Sequence, residues 1–193
     1  MPMAAEENTA ALQARGGGKL AWAALLGAFV AVAVGVYGNF HEATGRPLAL
    51  VIGFSGMAPM KAWLATVSAF FAIVQVISAL WMWERVRSWG PPPAAVAPVH
   101  RWSGTIAFLF TLPVAYHCLW SIGFATFDTR TAVHSLLGCV FYGAFATKML
   151  ALRSHGLPKW TLPVFGGLLF ATLIGLWLSA SVWYFSQPNV PLF

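Results

Sequence analysis

Two histidines, His117 and His134, lie inside apolar stretches at the two ends of one short hairpin, in a chain that is 59% hydrophobic and 8% charged. A polar ring is costly in hydrocarbon, so an intramembrane histidine marks a functional site by default, and its work there is ligation or proton handling. Imidazole binds iron and copper alike. Cys118 follows His117 directly, Cys139 lies five residues after His134, and Met57 and Met60 stand in the segment between the first two apolar runs. Imidazole with soft sulfur suits copper. The opposing interpretation is that cysteine and methionine in such a chain are apolar packers.

These residues need elements to hold them, and the elements are helices. A helix crosses the ~30 Å hydrocarbon core with roughly 20 apolar residues. Five runs qualify: 20–40, 62–83, 105–124, 131–152 and 162–185. The fold class is therefore an all-α integral membrane protein with five transmembrane helices, a four-helix core plus one. Mean hydropathy is +0.73, and 20–185 reads as one transmembrane domain. Residues 1–19, polar and small, are expected to form a disordered cytoplasmic tail and not a cleaved signal peptide. Residues 186–193, with two prolines, are expected to extend outside. The connector 90–99 (GPPPAAVAPV) reads as a semi-rigid loop, and 41–61 as turns folding back over the bundle mouth.

Charge sets the expected orientation. Arg15, Lys19, Arg85, Arg87, Arg101, Lys148, Arg153 and Lys159 fall on one side, against Arg46, Lys61 and Arg130 on the other. Basic residues collect on the cytoplasmic face, which predicts N-terminus inside and C-terminus outside in the inner (plasma) membrane. The net charge of +6 is thus a topology signal, and nucleic acid is excluded as a partner. Gly-rich nucleotide-binding motifs are absent from the sequence. Glu42, Glu84 and Asp128 lie at span edges, which disfavours a proton pump.

On this topology His41, His117 and His134 converge at the outer face. His100 begins the third helix at the inner face, some 25 Å from His117 at about 1.5 Å per residue, and His155 is also inside. A macrocycle between helices also needs room where its edge meets a helix. His134 has Gly138, His100 has Gly104 and His41 has Gly38 one turn away. Pro113 frees a backbone carbonyl below His117. Arg130, four residues before His134, is the best-placed cation for a propionate, with Arg46 and Lys61 the other outer bases. Gln75 suits a quinone contact or an interhelical hydrogen bond equally.

The segment Val133-His134-Ser135-Leu136-Leu137-Gly138-Cys139 resembles the His-Ser-x-x-Gly segment of the ascorbate-dependent, cytochrome b561-like transmembrane b-type cytochromes, and Val99-His100-Arg101-x-x-Gly104 is similar to a second such helix start. The resemblance spans the third and fourth helices. It implies axial histidines holding haem b in a four-helix core that moves electrons across a membrane. The runs PVAYHCLWSIGF and HSLLGCVFYGAF also resemble a bacterial membrane family to which no activity is attached. The second and fifth helices contain no histidine, so one outer haem is expected, with an inner haem on His100 and His155 as the lesser alternative.

The axial pair stays open. If the first four helices pack in order, diagonal spacing favours His41 with His117; the resemblance favours His134. The expected function is a membrane haem b protein passing electrons between a quinol pool or a redox protein partner and an extracytoplasmic acceptor. Copper bound by outer His, Cys and Met, and a non-catalytic accessory subunit of a respiratory complex, are the alternatives.

Overall fold

A computed structural model describes residues 2–46 and 51–193, with side chains from Gly16 onward. Met1, the part of the first loop at 47–50, and the side chain of Arg15 lie outside the described residues. Helix α1 is Pro2–Phe40, α2 Met57–Met82 and α4 Thr129–Leu152. Helix α3, Val96–His117, runs on through a wider π turn at Cys118–Ile122. Helix α5, Thr161–Trp177, does the same through Leu178–Val182 before a last turn at Trp183–Phe185. All five are long and apolar enough to cross a membrane, α1 over Gly16–Phe40. There is no strand among the described residues.

Helix α1 begins at Pro2, where the sequence reading has a disordered tail and opens the span at 20, and two further starts, those of α2 and α3, differ beside prolines. Helix α2 begins at Met57, so Met57 and Met60 belong to its first turn and not to a loop. Pro59 is tolerated there because first-turn N–H groups have no intrahelical partner to lose. For the same reason Pro98 sits inside the first turn of α3, and the connector is helical from Val96. Asp128 starts α4 cleanly: its carboxylate accepts from the Thr131 backbone N–H at 2.8 Å, while Thr131 Oγ1 accepts from the Asp128 N–H.

The interior is small and hydroxylated; the exterior is large and apolar. Ser68, Ser78, Ser103, Thr111 and Thr147 are buried, whereas Trp22 and Phe29 of α1 are each 69% exposed. That inversion suits lipid, where helices associate through close packing and hydrogen bonds and gain nothing from hiding leucine. Ala72, Phe141 and Leu173 form the apolar centre, joining α2, α4 and α5.

The helices do not pack in chain order. α1 lies on α4, α4 on α5, α5 on α2 and α2 on α3. The α1–α4 contact is glycine-mediated: a Cβ on Gly143 would stand 2.6 Å from the Gly27 carbonyl and 2.8 Å from Ala31 Cβ. Helices α3 and α4, joined by the hairpin between His117 and His134, lack a close backbone interface. They meet through side chains, with Phe108 stacked on Phe145 at 3.6 Å and the Tyr142 hydroxyl donating to Thr111 Oγ1 at 3.1 Å.

One end of the bundle is tied by its loops. The Thr44 and Gly45 N–H groups donate to the Trp120 and Ser121 carbonyls of the α3 π turn, and Phe124 N–H donates to Gly38 at 2.7 Å. The last residues, expected to extend away, fold back instead. Trp63 Nε1 donates to the Leu192 carbonyl at 2.7 Å, and the Phe193 ring stacks on Trp63. Satisfying an indole N–H and covering its face outweighs solvation of an apolar Pro-Leu-Phe segment.

Candidate functional site

Between α3 and α4, where the backbones stand apart, lies a cavity of about 350 Å³. Its walls come from α2, α3, α4 and α5, with Val34 as the contribution of α1. Ala62, Ala65, Val114, Phe141 and Leu173 make it apolar, and Tyr142, Cys118 and Cys139 add polarizable edges. Lys61 and Arg130 stand on its wall near the starts of α2 and α4, and His134 lies one turn beyond Arg130. The π turns of α3 and α5 border the same end; such turns recur at functional sites because they re-aim backbone and side chains.

His134 is the histidine on the cavity wall. Its Nδ1 lies 2.8 Å from Ser179 Oγ, in the π turn of α5. Ser179 has a single hydroxyl proton and gives it to the Gly175 carbonyl at 2.7 Å. Its oxygen is then left to accept the His134 Nδ1–H, which puts the imidazole lone pair on Nε2. A partner on one ring nitrogen is how proteins set the tautomer and orientation of a ligating histidine.

Arg130 is held three ways. Nη1 donates to the Ser179 carbonyl at 2.8 Å, Nη2 lies 3.9 Å from Asp128, and the guanidinium sits 4.0 Å over the Trp183 ring. Lys61 has no hydrogen bond or ion pair among the described residues. Both cations act electrostatically on His134. The site therefore joins an apolar volume, one oriented imidazole and two cations, with Asp128 partly offsetting one of them. It can receive an amphipathic molecule with an acidic end.

The other expected residues lie elsewhere. His117, fully buried, is not a cavity residue; its Nδ1 contacts Met57 Sδ in the first turn of α2. His41 is stacked between Tyr37 at 5.1 Å and Trp120 at 4.8 Å, with Nε2 buried and without a hydrogen-bond partner among the described residues. Hence the diagonal pairing of His41 with His117 loses its premise, because α1 packs against α4 and not against α2. His100, at the opposite end, has Nδ1 2.8 Å from Ser78 Oγ.

Gly104 beside His100 is a packing slot for Gln75, whose side-chain atoms lie 3.0 Å from where a Cβ would stand. Gln75 itself donates to the His100 carbonyl and to Ser103 Oγ, which is the expected interhelical hydrogen bond. Gly38 is filled by Leu119 and Phe124. Gly138 alone of the three glycines lines the cavity, with Leu176 4.0 Å from its Cβ position.

The copper ligand set is divided as well. Cys118 and Cys139 line the cavity, whereas Met60 is fully buried and neither it nor Met57 is on that wall. Among the described residues no group of three or more His, Cys, Asp or Glu could hold a metal ion. Ser179 was not singled out from sequence. The one signal for Ser179 was a hydroxyl in an apolar run, four residues after Gly175, and hydroxyls of that kind mostly bond their own helix.

A family described as being of unknown function (DUF6529) matches residues 20–192, nearly the whole described bundle. No curated protein and no solved structure matches the chain.

Proposed function

The chain belongs to the DUF6529 family, which brings no activity with it, and from the cavity we infer a membrane haem b protein. The observation that carries this reading is the His134–Ser179 pair on the wall of an apolar cavity flanked by Arg130 and Lys61. His134 Nε2 would be the iron ligand, Arg130 and Lys61 would face the propionates, and Gly138 would leave room for the ring. When bound, such a group supplies a one-electron couple. The protein supplies the oriented imidazole, the nearby positive charge and the dry surroundings that tune it.

The donor set supports one histidine ligand and not a pair. In this reading the N-terminus is cytoplasmic, the C-terminus extracytoplasmic and the membrane the plasma membrane. The electron donor is a quinol or a membrane redox partner, and the acceptor is extracytoplasmic. Reporter fusions at the two ends of the chain test the orientation; a cytoplasmic signal from the C-terminal fusion refutes it.

The test of the cofactor is a dithionite-reduced minus oxidised spectrum of the protein purified in detergent, with haem supplied during expression. A reduced spectrum of the five-coordinate, high-spin kind, with a Soret band and a broad visible band, that is lost in His134→Ala and kept in His117→Ala and His41→Ala is the expected result. A band that survives His134→Ala refutes the assignment. No band, with copper found by metal analysis, points to the sulfur and imidazole alternative; no band and no metal points to an accessory subunit.

A further inference from the structure

At the end of the bundle opposite the cavity, α4 carries Lys148, one turn before its last residue, Leu152. It is half-buried within an apolar span, and among the described residues it makes no hydrogen bond or ion pair. An ammonium group in hydrocarbon is costly without a partner, and such residues pair or reach for the interface. The amine of Lys148 lies across α5, 3.9 Å from where a Cβ on Gly166 would stand. Gly167 has nothing within 4 Å of its own Cβ position.

Open space at Gly167 leaves this side of α5 bare, and Leu152, Val164 and Leu168 at the same end of α4 and α5 are 53%, 51% and 37% exposed. Arg101, Arg153 and Lys159 are exposed at the same end, and His100 is within electrostatic reach of Lys148. Glu84, the acid described there, is exposed at the far corner between α2 and α3 and forms no ion pair among the described residues. The exposed apolar residues, the amine without a partner among the described residues and the basic rim complement a molecule with acyl chains and a negative head.

We propose that this face of α4 and α5 binds an anionic phospholipid, its phosphodiester on Lys148 Nζ and an acyl chain along the exposed apolar side of α5. Basic pockets between helices on the positively charged side of a membrane protein bind lipid headgroups in this way. Gly166 and Gly167 are then not only packing residues: a side chain at either position fills the space that the chain occupies.

The experiment is native mass spectrometry of the full chain released from vesicles of equimolar phosphatidylglycerol and phosphatidylcholine. The wild type is expected to retain phosphatidylglycerol preferentially. Lys148→Gln is expected to lower that preference about fivefold, as one basic residue near a charged headgroup should. Lys148→Arg keeps it, and Lys159→Gln changes it less. Circular dichroism checks that each variant folds, and the arginine variant keeps the test decisive if the glutamine variant does not. Unchanged preference in Lys148→Gln overturns the site and leaves Lys148 reaching for the interface. Equal losses for Lys148→Gln and Lys159→Gln mean diffuse surface charge and overturn it too. Thermal stabilisation of the wild type by inorganic phosphate equal to that by phosphatidylglycerol assigns the site to a free anion and overturns the lipid.

Discussion

Replacing Ser179 with alanine removes one hydroxyl and leaves the backbone carbonyl that holds Arg130, so the change isolates the His134 ring. The lost contact is the 2.8 Å pair between Ser179 Oγ and His134 Nδ1; the Arg130 bond at 2.8 Å survives. Loss of the serine's own bond to Gly175 is close to neutral, since such back-bonds do not favour a helix. An unsatisfied ring N–H costs about 1–3 kcal/mol, and losing the partner of a ligating histidine lowers affinity about 10–100-fold, which is about 1.4–2.8 kcal/mol. Ser179→Thr, which keeps a hydroxyl, should retain most of it.

Two measurements follow on the same variant. Nitrogen-15 NMR of detergent-solubilised, haem-free protein reports the His134 tautomer: Nδ1–H in the wild type, a mixture in Ser179→Ala. Haem titration followed at the Soret band then reports the affinity. An unchanged tautomer refutes the hydrogen-bond reasoning whatever the cofactor is. A changed tautomer with no haem binding by either protein keeps the reasoning and refutes the cofactor.

Gly143→Ala should destabilise the bundle by about 1–3 kcal/mol in an SDS unfolding titration, because its Cβ meets a backbone carbonyl at 2.6 Å and overpacking cannot be relieved by a rotamer; a neutral result would show that α1 does not seat on α4 there. Gln75→Ala should cost about 0.6–1.7 kcal/mol in the same titration through lost bonds to the His100 carbonyl and Ser103, with the reduced-minus-oxidised spectrum unchanged; altered spectra would tie Gln75 to the cofactor after all. Arg130→Lys keeps the charge but loses the planar fork that meets Ser179, Asp128 and Trp183 together, so stability should fall by about 1 kcal/mol in the SDS titration. Equal stability would make those contacts incidental.

Much of the bundle is legible in the sequence because a bilayer makes stringent demands on it. Backbone groups in hydrocarbon must be satisfied within the segment, so run length alone yields five helices, and alternation then places His41, His117 and His134 at one end and His100 at the other. Arg130 and His134 share a face through four-residue spacing, and both do line the cavity. The Asp128 cap before Thr131 is local chemistry.

Which helices touch is another matter, and tertiary structure alone decided it. Lipid tails are as apolar as leucine, so hydropathy does not say which side of a helix meets protein; the shape of small-residue surfaces far apart in sequence does. Gly27 meeting Gly143 draws α1 to α4, and that choice determines which histidines can share a wall. His117 turns to Met57, Gln75 fills the space at Gly104, and Ser179 reaches His134 from 45 residues away. Residue type and spacing marked the histidines. Their partners, and so their chemistry, came from how five nearly featureless cylinders rotate and seat against one another.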